Sequence, residues 1–194
     1  DLKRKFAKKG QLYGVDDRIR LIALDIANHF VKNIDDGLKG QLACDSKASA
    51  IKYKKYLDEA DLFEAAVVMS PPDTREGNTA VDEAASPEVT QWWKANVGNQ
   101  DEQSYTKHLI ERFGDSRDPL KMLIVVDKLL TGFDEPKNAV LYIDKPLKGH
   151  NLIQAIARVN RLHPQKKFGL LIDYRGILAE LDTTIQKYQD LASR

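Results

Sequence analysis

The stretch AVLYIDKPLKGHNLIQAIARVNRLHPQKKFGLLIDY (139–174) decides the fold. It begins with a short apolar run, AVLYID (139–144), and ends with another, FGLLIDY (168–174). Short continuous apolar runs are what strands covered on both faces look like. Between them lies NLIQAIARVNRLHP (151–164), which has helical spacing. At about 100° per residue, Leu152, Ile156 and Val159 share one face, with Ala155 beside them. Gln154, Arg158 and Arg161 share the opposite face. The segment therefore predicts a strand, a helix and a second strand, with an amide and two guanidiniums grouped on the polar side of the helix.

The same alternation extends upstream. KMLIVVD (121–127), FEAAVVMS (63–70) and QLACD (41–45) are further strand candidates. Residues 16–35, 46–60 and 101–113 carry apolar residues at helical spacing, and Ser46 is placed to cap the second of these helices. Gly37 and Gly40 break the chain after the first helix. The stretch 71–100 is rich in Pro, Gly, Ser, Thr and acid and reads as a loop or insertion, in which Trp92 and Trp93 fill a local core. A last helix is expected over roughly 176–192. Strands alternating with helices predict an α/β fold: a parallel sheet in three layers, with helices on both faces. Ligands of such folds sit at the carboxyl ends of the strands. Ser46 and Lys47, the KLLTGFDEP segment (128–136) and the arginine helix all follow strands and are expected to gather there.

With 194 residues, 42% of them hydrophobic, the chain can build one domain with a real core. Net charge is +1, so total charge does not argue for nucleic acid. Its distribution is uneven. Asp58 to Glu102 is acidic, opposed only by Arg75 and Lys94. Lys137 to Arg175 is basic, opposed only by Asp144 and Asp173. Cys44 is the single cysteine, which excludes an internal disulfide and a cysteine metal cluster and fits a reducing cytosol. No apolar run approaches the ~18 residues of a membrane span. The first residues lack a signal-peptide core and a starting Met, so a fragment of a longer protein is expected.

No stretch fits the phosphate-cradling G-x-x-x-x-G-K-[ST] loop, a G-x-S-x-G elbow or an H-E-x-x-H zinc helix. His29, His108, His150 and His163 are scattered and read as surface or packing residues, so no metal site is expected. Self-contained hydrolysis is thereby disfavoured. An arginine face without a nucleotide loop is what one half of a shared site looks like, because arginine fingers from a neighbouring domain stabilise charge on a transferring phosphoryl group. In LLTGFDEP (129–136), Gly132 permits a close backbone approach, Thr131 offers a hydroxyl, and Asp134 offers an acceptor for a ribose hydroxyl or a cation.

The combination VVDKLLTGFDEPKNAVLYIDKPLKGHNLIQAIARVNRLHP (125–164) resembles motifs V and VI of superfamily 2 helicases and translocases. Motif VI has the spacing Q-x-x-x-R-x-x-R, met by Gln154, Arg158 and Arg161. The wording is more similar still to the motor (R, or HsdR) subunit of type I restriction enzymes, where LLTGFD.P, LY.DKPL.GH and LIQAIAR.NR run in this order. GLLIDYRGI (169–177) extends the likeness. KGQLACDSKASAIKYKKYLDE (39–59) looks like the motif IV region, though its CDS departs from the usual apolar wording.

The resemblance implies the second of two RecA-like motor domains, over residues 1–175, with 176–194 starting a helical region. It implies ATP and Mg²⁺ held mainly by a missing first motor domain. Arg158 and Arg161 would be the catalytic arginines reaching the phosphates. Gly132, Asp134 and Gln154 would face the nucleotide. Thr131, Ser46 and Lys47 would contact the DNA backbone. Implied partners are double-stranded DNA, the first motor domain, and the methyltransferase and specificity subunits, in a prokaryotic cytoplasm. The fragment alone would not hydrolyse ATP. The alternatives are a non-catalytic helicase-like module that binds DNA or a partner, and another superfamily 2 translocase.

Overall fold

The computed structural model describes residues 2–72, 86–130, 133–147 and 149–178, with side chains from residue 15 onward except at 149 and 150. The elements are α1 (Leu2–Asn33), β1 (Lys39–Cys44), α2 (Lys47–Ala60), β2 (Glu64–Val68), α3 (Pro87–Asn96), α4 (Glu102–Gly114), β3 (Leu120–Val125), β4 (Asn138–Asp144), α5 (Gly149–Val159) and β5 (Leu170–Asp173). The five strands form one sheet in the order β2-β3-β1-β4-β5. Every pairing is parallel.

The apolar runs are continuous because both sheet faces are covered. Successive strand residues point to opposite faces, and β4 divides its side chains accordingly. Val140 and Tyr142 join one core with Ile26 and Phe30 of α1, Tyr53 and Leu57 of α2, and Val89 of α3. Leu141 and Ile143 join a second core with Leu109 and Phe113 of α4 and Leu152, Ala155 and Val159 of α5. The molecule is the three-layer α/β sandwich that the alternation predicts.

Four expectations need correction. The 71–100 stretch contains α3, started by Ser86, whose hydroxyl accepts from Val89 N at 3.3 Å, and by Pro87 in the first turn. A proline's missing N–H is harmless there, so the loop-like composition concealed a capped helix. Trp92 and Trp93 do pack on the first core, as expected. Gly40 lies inside β1, where an added Cβ would stand 2.9 Å from Val140 Cγ1, and only Gly37 makes the turn, at φ +76°. α1 begins at Leu2, well before residue 16. The arginine helix stops at Val159, leaving Arg161 beyond its end. The helix expected over 176–192 lies outside the described residues from 179 onward.

Candidate functional site

Two groups of side chains stand at opposite ends of the sheet. The first is at the strand carboxyl ends. Ser46 caps α2 in extended backbone: its Oγ accepts from Ser49 N at 3.0 Å and donates to Ser49 Oγ at 2.9 Å. Lys47 sits in the first turn and donates to the carbonyl of Pro71 at 2.6 Å, bridging to the chain that leaves β2. A helix start concentrates free amides and positive dipole.

Behind this rim lies a hub that the sequence reading missed. Asp144, at the end of β4, has a side chain only 2% exposed. It accepts from Arg18 Nη1 and Nη2 at 3.0 and 2.6 Å, from the Tyr53 hydroxyl at 2.5 Å and from Arg175 Nε at 2.6 Å. Burial alone would raise its pKa, but the hydrogen bonds from Arg18, Tyr53 and Arg175 outweigh it and hold the carboxyl below its ordinary range. Arg175 also donates to Asp45 at 2.8 Å, the residue before the α2 cap. The hub thus ties α1, α2 and the ends of β1, β4 and β5 together. A lone acid closing an apolar strand, as in LYID, was the available signal.

The second group is reached by the segment that joins β3 to β4. It leaves the carboxyl end of β3, where Lys145 Nζ donates to Val126 O at 2.5 Å and to Asp127 Oδ1 at 2.8 Å. It then crosses the second core, burying Leu130 and Phe133, the latter ring 5.9 Å from that of Phe113. Its foot is Asp134, Glu135 and Pro136, next to the start of β4. There the Asp134 carboxylate meets Arg161 Nε at 3.2 Å, with both side chains about half exposed, 54% and 49%. Arg158 is half-buried, and its guanidinium has no hydrogen bond or ion pair among the described residues. Gln154, one turn earlier on the same face, is also half-buried.

This position corrects the expected clustering. α5 follows β4 and runs back along the sheet, so its end lies at the strand amino ends. Lys166 Nζ proves the point: it donates both to Val159 O, at the end of α5, and to Asn138 O, at the start of β4. Arg161 and Asp134 are therefore brought together, with Arg158 in the last turn of α5 at the same end of the sheet, but not with Ser46 and Lys47. The seven residues of β4 separate the two groups by roughly 20 Å. Thr131 and Gly132 lie outside the described residues.

A guanidinium paired with one carboxylate, with a second arginine in the adjoining turn of the helix, suits phosphate oxygens and a ribose hydroxyl better than a bare cation. Among the described residues no group of three or more His, Cys, Asp or Glu side chains could hold a metal ion. His29 is a packing histidine, with Nδ1 2.8 Å from the Tyr142 hydroxyl. No helix among the described residues is long and apolar enough to cross a membrane.

Residues 36–176 match the family model for the type I restriction enzyme subunit R, domain 3. The chain belongs to the R-subunit family of type I restriction enzymes. It is 35% identical over 185 residues to the type I restriction enzyme HindI endonuclease subunit of Haemophilus influenzae, a match covering 92% of this chain and 16% of that protein. It is 34% identical over 195 residues to a candidate MjaIXP endonuclease subunit of Methanocaldococcus jannaschii, covering 100% of this chain and 17% of the relative. The chain thus spans about a sixth of the length of the R-subunit relatives it matches. Its fold is similar to a fragment of a candidate HsdR subunit from Vibrio vulnificus YJ016, with TM-score 0.57 at 16% identity, over 93% of this chain and 30% of that one. The family model's span takes in Ser46, Lys47, Asp134, Gln154, Arg158 and Arg161.

Proposed function

We propose that this R-subunit domain is the second, RecA-like motor domain of an ATP-dependent double-stranded DNA translocase within a type I restriction–modification enzyme. The observation that carries the reading is the meeting of Asp134 and Arg161, from two separate motif segments, half-exposed at the end of the helix that carries Arg158. The chain has no phosphate-cradling loop, so this group is one half of a site completed by the first motor domain.

ATP, with its Mg²⁺ held mainly by that first domain, supplies the phosphoryl group whose transfer to water drives movement. Arg158 and Arg161 bind phosphate oxygens across the cleft, and at least one steadies the charge that grows during transfer. The Arg161–Asp134 pair is exposed and worth only about 0–1 kcal/mol, so an arriving phosphate can take Arg161 over. Asp134 then faces the sugar, a role the motif resemblance implies for Gly132 as well, and Gln154 lies one turn earlier on the helix. At the other end Ser46 and Lys47 touch backbone phosphates, which carry no sequence information and suit a translocase; the same role is proposed for Thr131, which lies outside the described residues. The β3–β4 segment spans both ends and gives the two sites a common backbone. Sequence specificity and methylation belong to the partner subunits, and cleavage to another part of the R subunit, in the prokaryotic cytoplasm.

The test is DNA-stimulated ATP hydrolysis by the full-length R subunit in its complex, comparing wild type with Arg158→Ala and Arg161→Ala. The expected result is a loss of roughly 10³ in rate in at least one variant, with folding and DNA binding intact. Near-normal turnover in both would leave a DNA- or partner-binding module that does no motor work.

A further inference from the structure

Lys166 lies outside both motif segments, yet its side chain joins them. The residue is 8% exposed. Its ammonium donates to Val159 O at 2.9 Å, to Pro136 O at 2.8 Å and to Asn138 O at 3.1 Å. A lysine ammonium has three donors, and all three are used. Val159 is the last residue of α5, so its carbonyl is one of those a helix leaves without a partner, at the negative end of the dipole. It lies two residues before Arg161. Pro136 lies two residues after Asp134. One buried charge thus pins the backbone beside each member of the Arg161–Asp134 pair, and both to the start of β4.

The surrounding loop is built to deliver that charge. Lys166 N donates to His163 O at 2.9 Å, closing a tight turn. Gly169 N donates to Asn160 Oδ1 at 3.3 Å. Gly169 packs so closely on the end of α5 that a Cβ there would stand 2.3 Å from Val159 O. The amide of Asn160, the residue before Arg161, would be 2.8 Å away. The loop is thereby held against the backbone of Val159 and Asn160, the two residues before Arg161.

We propose that Lys166 is a positioning residue that sets the geometry of Arg161 against Asp134 by binding three carbonyls on the segments that carry them. The proposal rests on the motor reading above. Lys166 touches neither nucleotide nor DNA and acts through Arg161. Misplacing a reacting group by about 1 Å costs on the order of 10² in rate, so the expected effect falls on turnover and leaves nucleotide affinity alone.

The experiment is a double-mutant cycle in the full-length R subunit, within its DNA-bound complex, read by ATP hydrolysis and by melting temperature. Lys166→Met in the wild-type background is expected to lower kcat by about ten-fold or more, with KM for ATP within about two-fold. In the Arg161→Ala background the same substitution is expected to change the residual single-turnover rate by less than about two-fold, because the group it positions is gone. The fall in melting temperature is expected to be the same in both backgrounds. A normal kcat in Lys166→Met, or a fall by the same factor in both backgrounds, overturns the proposal, since a purely structural lysine gives one or the other. If Lys166→Met does not fold, Lys166→Arg keeps the charge with a different reach, and its loss of kcat must likewise vanish with Arg161. Normal turnover in both arginine variants alone would sink the motor reading, and that is seen without any change at Lys166.

Discussion

Replacing Asp144 by Asn should unsettle the domain more than any other change of one polar group. The substitution keeps shape and removes charge. Asp144 binds two arginines and a tyrosine, all as donors. An asparagine must turn its own NH₂ toward some of them, so donors would face donors. Removing one partner from a buried ion pair costs about 3–5 kcal/mol. Arg18 and Arg175 are each about a third exposed and can rehydrate, which favours the lower end, about 3 kcal/mol. For a chain of this length about 1 kcal/mol moves the melting temperature by roughly 2–4 °C, so a fall of about 6–12 °C is expected. The pH dependence has a definite sign. A carboxyl whose folded pKa is depressed stabilises above its unfolded pKa of 3.8 and loses that contribution as pH falls below it. The gap between wild type and Asp144→Asn should therefore be full near neutrality and close as the medium becomes strongly acidic. Thermal melts of both proteins across that pH range are the assay. A difference under about 1 kcal/mol at neutral pH, or one that does not narrow in acid, would refute the account of the hub.

Two smaller changes test the two ends of the sheet. Gly169→Ala drives a methyl group to 2.3 Å from Val159 O, so urea unfolding should show a loss of about 2–3 kcal/mol, and a neutral effect would mean that the loop packs differently. Ser46→Ala removes the α2 cap and should cost about 1 kcal/mol. If the DNA reading is right, it should also weaken binding of the full-length subunit to duplexes of any sequence alike, whereas an unchanged affinity would confine Ser46 to capping.

The sheet was legible because its strands are covered on both faces, and cover of that kind leaves unbroken runs such as VLYI and MLIVV. The apolar face of α5 was legible too, because Leu152, Ala155 and Val159 recur at helical spacing and all pack into the second core. Where the helix ends was not. The apolar pattern continues to Leu162, but that side chain is 93% exposed, and the helix is stopped by a glycine ten residues after Val159 and a lysine seven after it. Buried lysines escape any pattern that equates charge with surface. Lys39 is enclosed in β1, where it donates to Leu120 O at 2.5 Å and burial pushes its pKa down to about 8. The Asp144 hub was hidden for a different reason: its partners come from positions 18, 53 and 175, and local periodicity carries no trace of contacts at such separations.

The place of β1 has a consequence for how the chain comes into being. It is the first strand of the sheet in chain order and the middle strand of the sheet, with Gly40 paired to Met122 on one side and to Val140 on the other. Neither neighbour exists until most of the domain has been synthesised. Until then β1 has neither native strand partner, while α1 and α2 already carry the side chains that pack with Leu42 and Cys44 on one of its faces. Pairings so distant in sequence form slowly, and strands left waiting are prone to join the wrong chain. On this order of synthesis, α1 and α2 are expected to cover one face of β1 before the second half of the sheet arrives to enclose it.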